Sequence, residues 1–575
     1  MSDSLDRREF IEAALASGGV VMLAGCGGQQ DQGDGGDGGD GGDGGDGGDG
    51  GTPSGDGGDG GDGGDGGGGG TPVEVTLLNW SQYPTHQSVT EFFVPDLEEL
   101  GFSVSVESRE LGQAIQAQAN KEEWFNLAFI AWGSSPVRLS HWYLSTLHHS
   151  SEAAEGGFNM SGIQNDELDS LIDQQATEFD QDRRESLIKE AQQKILDLHT
   201  DYVFTFRPLV YAYNSNKWEN ATVTTGVGMG KPGAYWSHID MTPTTDDTTL
   251  VVGSRQGIGD LNTMDVQNTT QDGLFNMAYD SLLKNDANFE TIGWLAEDWQ
   301  TDGTTVTLDM RPDVTWHDGE DLTANDAAFS YQLAIDEEFP GYGRGRELIE
   351  SVEAVDDMTL VFELSETYAP FVSRTLTYGP ILPEHIWSDV NPREFQNEEM
   401  IGSGPWMFDD WEAGEQISFT ANEDHFYPPG ADRLVFVQVG SNSAMIRAVN
   451  NQEIDITGRS IGIQAKQQVE GSDFLDVVTV QSFGSFTIHP HVFQKPFDDI
   501  EVRRAVHHAL NRKLAAELQN NEAMPAQGTV LHPDLFGSAH GELDYPEYDL
   551  DQARQILSDA GYWWDDSGQL MYPQS

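Results

Sequence analysis

Between Gly27 and Pro72 the chain is almost entirely Asp and Gly, most of it in the repeat Asp-Gly-Gly. This tract limits where a fold can begin. Glycine has the most backbone freedom to lose on ordering, neighbouring aspartates repel, and no apolar side chain is present to bury. We therefore read residues 27–72 as a disordered linker, which as a random coil spans about 35–40 Å. The repeat is not the GGxGxD calcium pattern, so no calcium site is expected there.

Upstream, Arg7 and Arg8 precede Glu9-Phe10-Ile11, and a modest apolar stretch runs from Ala13 to Ala24. That stretch is too short to span a bilayer and has the order of an export signal. It ends in Leu23-Ala24-Gly25-Cys26, which resembles a lipobox, while Arg7 and Arg8 resemble a twin-arginine pair. The resemblance implies that residues 1–26 are a twin-arginine-type signal peptide and that Cys26 carries a lipid, with the linker as its tether. Cys26 is the only cysteine, so there is no internal disulfide and no cysteine metal site.

The formal net charge is −68, from 97 acids against 29 bases. The tract holds 11 of those acids, so 86 remain against the same 29 bases. Such a field repels nucleic acid and anionic lipid headgroups. It suits a fold living in molar salt, where the Debye length is about 3 Å, and a halophile origin is expected.

From Pro72 onward the pattern is that of an α/β protein. "VEVTLLNW" (73–80) and "FSVSVESREL" (102–111) alternate as strands do, and "SVTEFFVPDLEELG" (88–101) has helical spacing and stops at Gly101. "NLAFIAWG" (126–133) is a continuous apolar run, as a buried parallel strand requires. Asn165 should cap a helix, 182–199 should form an amphipathic one, and 202–214 a strand. The stretch 215–247 reads as a connection. Hairpin-like runs follow it, and 498–519 and 549–561 read as helical.

One resemblance covers nearly the whole body. "LAEDW", "MRPDVTWHDGEDLTANDAAFS", "VEAVDDMTLVFELSETYAPF", "IGSGPWMFDDW", "NNQEIDI", "PFDDIEVRRAVHHALNR" and "YDLDQARQILSDAGY" resemble, in order, segments of the family 5 extracellular solute-binding proteins, the oligopeptide/dipeptide-type receptors of ABC importers. The resemblance implies a two-lobed, periplasmic-binding-protein-like type II α/β fold with a hinge between the lobes. Elements that should follow residue 575 in that family stand instead at 73–214. They are the strand "VTLLNW", the "GW" strand as "LAFIAWG", the helix start "FNMSGIQNDELDSLIDQQ", and the last helix and return strand. The chain is therefore expected to be circularly permuted, with the family's termini joined near 231–248. The lobes expected are 201–485 for lobe I, and 73–200 with 486–575 for lobe II.

In the family the loop after the "GW" strand lines the cleft, and in peptide receptors it often carries an Asp that meets the ligand's α-ammonium. The resemblance places Trp132, Gly133, Ser134, Ser135 and Arg138 there. Ser135 falls where that Asp would stand and cannot supply a charge-assisted bond, while Arg138 could face an anionic or hydroxyl-rich ligand. Phe483, Trp406 and His489 complete the candidate set. The pairs His489/His491, His507/His508 and His148/His149 lack a completing ligand at metal spacing, and no metal or cofactor is expected. No GxSxG, HExxH or GxxxxGK[ST] motif occurs, and no enzyme activity is expected.

The expectation is a monomeric, lipid-anchored receptor on the outer face of the cell membrane. It would bind a peptide or related oligomer and deliver it to the permease subunits of an ABC transporter. An oligosaccharide receptor, a sensory binding protein and a secreted hydrolase are the alternatives.

Overall fold

The computed structural model describes residues 70–81, 84–133, 142–231, 233–254, 260–264, 269–339, 344–533 and 543–573. Arg7, Arg8, Cys26 and residues 27–69 of the Asp/Gly tract lie outside them; Thr71 and Pro72, expected as the end of the linker, are instead paired with the C-terminal hairpin. Eleven strands form the main sheet. In chain order they are β1 (Glu74–Trp80), β2 (Ser103–Arg109), β3 (Leu127–Ala131), β4 (Tyr202–Asn214), β5 (Thr249–Ser254), β6 (Trp406–Glu412), β7 (Gln416–Ala421), β8 (Arg433–Gln438), β9 (Ile456–Thr457), β10 (Leu475–Pro490) and β11 (Met524–Pro525). Side by side they run β6-β7-β8-β5-β9-β4-β10-β3-β1-β2, with β11 also paired to β4. A separate antiparallel sheet holds, in order, Ala296–Asp302, Thr305–Met310, Thr359–Leu364 and Ile349–Asp356.

Two cores divide the molecule. One takes side chains from residues 73–206 and 486–570. The other takes them from 209–456. A small third core packs Met445, Ile446 and Val449 against Val210 and Ala212. Leu209 and Tyr211 face the second core while Val210 and Ala212 face the third, the period of two that a strand buried on both faces imposes. The fold is mixed α/β and two-lobed. Among the described residues, only β4 and β10, of 13 and 16 residues, run from one core into the other as strands.

Around the first core stand α1 (Pro84–Glu99), α2 (Leu111–Ala119), α3 (Trp142–His148), α4 (Asp166–Thr177) and α5 (Gln181–Leu198). Their limits follow from local chemistry. Asn165 Oδ1 accepts from Leu168 N at 3.0 Å, and three acids stand in the first turn of α4. Asp180 caps α5 in the same way, and His199 ends it in the left-handed region at φ 50°. All five residues of β3 are buried, as its unbroken apolar run predicts.

The segment 215–247 is more ordered than a connection. Trp218–Glu219 pairs with Thr242–Pro243, and Tyr235–Asp240 is a short helix. Trp218, Met229, Trp236, Ile239 and Met241 are buried in the second core. Scattered apolar residues among Gly and Thr hide such a segment from a periodicity reading.

The two ends of the described body meet. Tyr572 N donates to Thr71 O at 3.0 Å and Val73 N to Leu570 O at 2.9 Å, with a bridge between Pro72 and Met571. Among the described residues no helix is long and apolar enough to cross a membrane.

Candidate functional site

The pairing of β4 with β10 runs regularly from Leu475↔Asn214 to Gln481↔Pro208, then resumes at Ser485↔Phe206. Three residues, Ser482 to Gly484, therefore face Arg207 alone. Pro208 has no N–H to give the ladder, and an excess of residues on one strand bends it and redirects its side chains. This bulge sits at the boundary of the two cores.

The bulge gathers pieces of both lobes. Phe483 is buried, its ring 5.1 Å from that of His532 and 6.1 Å from that of Phe289. A Cβ on Gly226, which holds φ +66°, would lie 2.2 Å from the Phe483 ring. A Cβ on Gly484 would lie 2.2 Å from the carbonyl oxygen of Trp132. Trp132 N donates to Ser485 O at 2.9 Å, and Arg207 Nη1 reaches Trp132 O at 3.4 Å. The Arg207 guanidinium lies 5.4 Å from the centre of the Phe486 ring. The Tyr211 hydroxyl donates to Val227 O at 3.0 Å. Burial raises that phenol far above its ordinary value, against the pull of Arg459 and Arg207. In a chain of charge −68, two half-buried guanidinium groups act at one place.

Behind the crossing lies a buried polar chain. Trp132 Nε1 donates to His489 Nε2 at 3.2 Å. The indole N–H can only donate, so the His489 proton sits on Nδ1, which meets Asp201 Oδ1 at 3.0 Å. Asp201 Oδ2 meets His148 Nε2 at 2.7 Å. Burial alone would raise the Asp201 carboxyl, but His148 and then His489 outweigh it and hold it well below the usual carboxylate range.

Of the residues singled out from sequence, Trp132, Gly133, Phe483 and His489 come together here, with Trp132 only 1% exposed. Ser134, Ser135 and Arg138 lie outside the described residues. Trp406 is elsewhere, fully buried in the second core on the outermost strand, β6, so packing accounts for it. His491 sits between the rings of Phe125 and Phe493, and His507 faces His199 and Arg512. Among the described residues no group of three His, Cys, Asp or Glu is placed to hold a metal. A cavity of about 730 Å³ lies away from the crossing, along residues 386–401 beside the second core.

Asp201, His148, Gly484 and Gly226 carry the geometry, yet sequence reasoning did not place them in the site. A single acid before an apolar strand gives no signal, and the glycines of 226–233 resemble those of any loop.

Residues 290–574 match a sequence family described as bacterial extracellular solute-binding proteins, family 5 middle. The chain is 29% identical over 336 residues to the oligopeptide-binding protein AppA of Bacillus subtilis, covering 56% of this chain and 60% of AppA. It is 29% identical over 304 residues to a putative ABC transporter peptide-binding protein of Brucella ovis, covering 50% and 54%. The chain thus spans less than two thirds of the curated relatives it matches. Among solved structures, NikZ of Campylobacter jejuni in complex with Ni(L-His) is similar at 21% identity and a TM-score of 0.44, over 57% of this chain and 66% of that one.

Proposed function

We propose that this protein, whose residues 290–574 match family 5 of the extracellular solute-binding proteins, is a receptor closing two lobes around a small solute for an ABC importer, and not an enzyme. The observation that carries this reading is the crossing. Two cores are joined by two strands, and their ladder is interrupted at Arg207 opposite Ser482–Gly484. Such a join gives a hinge, and the pieces gathered around it line the cleft.

A peptide or related oligomer is the preferred ligand, in line with the peptide-binding names of the relatives. Ser135 at the position of the family's Asp favours, as the second reading, an oligosaccharide. Lobe I is residues 201–485, and lobe II is 73–200 with 486–575. The receptor is a monomer on the outer face of the membrane, exported through Arg7 and Arg8, lipidated at Cys26 and working in high salt. Its body is a circular permutation of the family order. The hydrogen-bonded meeting of Thr71 with Tyr572 and of Val73 with Leu570 supports this, because a permuted chain opens where two neighbours in space were once joined.

The test is thermal unfolding in molar salt against peptides and oligosaccharides. A ligand at 100 times its Kd should add about 2.7 kcal/mol. A shift with peptides supports the first reading, a shift with sugars supports the second, and a transition that no ligand moves counts against both.

A further inference from the structure

Asp201 stands one residue before β4, and its carboxylate is 1% exposed. A charge taken out of water costs several kcal/mol unless its oxygens are fully bonded, and apolar packing usually stabilises at least as well. A carboxylate kept in such a place is explained better by what it holds than by the stability it adds. Each oxygen has a partner on a different element. Oδ1 holds His489, near the end of β10, and Oδ2 holds His148, the last residue of α3. Through the other nitrogen of His489 the chain reaches Trp132, just past β3. Trp132 in turn presents its backbone to Ser485, Arg207 and Gly484 at the bulge. One path therefore joins the start of a crossing strand to the point where both crossing strands lose their pairing.

We propose that Asp201 is a positioning residue of the cleft: through His489 it fixes the Trp132 indole, and so sets where Trp132 and Gly133 meet the Ser482–Gly484 bulge, without itself touching ligand. Its consequence for affinity rests on the reading that the crossing is the ligand cleft. Every proton in the path has one place. The indole can only donate, so His489 must accept at Nε2 and donate at Nδ1, and only an acceptor can stand at Asp201 Oδ1. Asparagine at 201 presents one acceptor and one donor, so it cannot receive both histidines in these forms. At 489, glutamine can still accept from the indole and donate to Asp201, whereas leucine can do neither.

The test uses the full-length protein in molar salt with three variants, Asp201→Asn, His489→Leu and His489→Gln. Amide hydrogen exchange is followed at residues 130–133 and 482–486, with β5 and β8 as the reference. The expected result is exchange at least tenfold faster at the crossing in Asp201→Asn and His489→Leu. The reference strands should be unchanged, and His489→Gln should restore the native rate to within threefold. Trialanine, pentaalanine and nonaalanine serve as binding probes, and affinity for whichever binds should fall at least tenfold in the first two variants and recover in the third. Native exchange at the crossing in His489→Leu, with only a lower unfolding midpoint, would overturn the proposal. Equal loss in His489→Gln and His489→Leu would do so as well. If Asp201→Asn does not fold, the two His489 variants decide alone. A native protein that binds none of the probes would count against the peptide reading of the cleft, and the exchange result still decides the role of Asp201.

Discussion

At Gly484 the space a side chain would need is held by the carbonyl oxygen of Trp132, and backbone cannot step aside as the tip of a flexible side chain can. Gly484→Ala should therefore destabilise the protein by about 1–3 kcal/mol. Gly471, with open space around it, should tolerate alanine within about 0.5 kcal/mol. Denaturant unfolding of the two variants checks the pair, and equal losses would mean that the crossing relaxes freely. Residue by residue, the candidate site was half legible. Trp132 and Gly133 could be singled out because the "GW" strand has a family counterpart, and Phe483 and His489 as an aromatic ring and a histidine near the expected lobe boundary. Trp406 stands in a motif with a family counterpart too, yet it packs in the second core. Burial does not separate the two tryptophans, since Trp132 is as deeply packed in the first core as Trp406 is in the second; what differs is that Trp132 stands beside the crossing and Trp406 on the outermost strand. Asp201 was invisible because its role comes from two histidines, 53 residues before it and 288 after it.

At the level of elements, contacts other than the two long strands also bridge the lobes. Lys466, on a short helical turn of residues 463–468, meets both oxygens of Glu522 at 2.8 and 3.0 Å, and Glu522 lies just before β11. On the other side Ala369 N donates to Ala176 O at 3.0 Å. The Lys466–Glu522 pair is partly exposed, at 20% and 28%, so it contributes less than about 1 kcal/mol, and salt screens it. Lys466→Ala should lower stability by that small amount at the lowest salt in which the protein stays folded, and by nothing measurable in molar salt. Calorimetry at the two salt levels checks this, and a loss that persists in molar salt would mean that the pair is shielded from solvent. The strands and helices were largely legible, because a period of two, a period of 3.6 and an Asn or Asp cap are local signals. The bulge was not. It exists only as a difference in register between β4 and β10, whose paired residues are more than 250 positions apart.

For the whole molecule, acid is the sharper stress. Burial lowers His199 to about 3, with Arg503 and Arg504 adding to the effect, and lowers His491 to about 3 and His238 to about 4. His507 is pushed well below the ordinary 6.5 by burial and by Arg512. In each case the unfolded chain binds a proton that the native protein refuses. Stability is therefore full above pH 6.5 and falls as pH drops toward about 4, by about 1.4 kcal/mol per pH unit for each such histidine. The depressed Asp201 carboxyl adds its own loss only below its ordinary 3.8. Unfolding midpoints measured in molar salt, where self-repulsion of the acidic surface is screened, should fall across that window. A flat profile would mean that these histidines are already protonated in the native protein.

The order of the segments can be tested by undoing it. The body's described ends lie one hydrogen bond apart at Thr71 and Tyr572, so two or three glycines, at about 3.3 Å each, span the gap. A new break can be made among residues 244–248. That segment is held at the surface by Lys217, which pairs with Asp247 at 2.8 Å, while Thr244 N donates to Lys217 O at 2.8 Å. A chain running from Asp246 to Tyr572 and then from Thr71 to Thr245 would have the family's own order and keep both of these contacts. If permutation is the history of this fold, every contact in both cores survives the change. Only loop-closure terms differ, and these vary slowly with length, by about 0.6 kcal/mol per doubling. The reordered chain should therefore unfold cooperatively, within roughly 1 kcal/mol of the native one, and bind the same ligand. A reordered chain without a cooperative transition would mean that residues 73–243 fold against the rest only in the order found here, and the permutation would have to be given up.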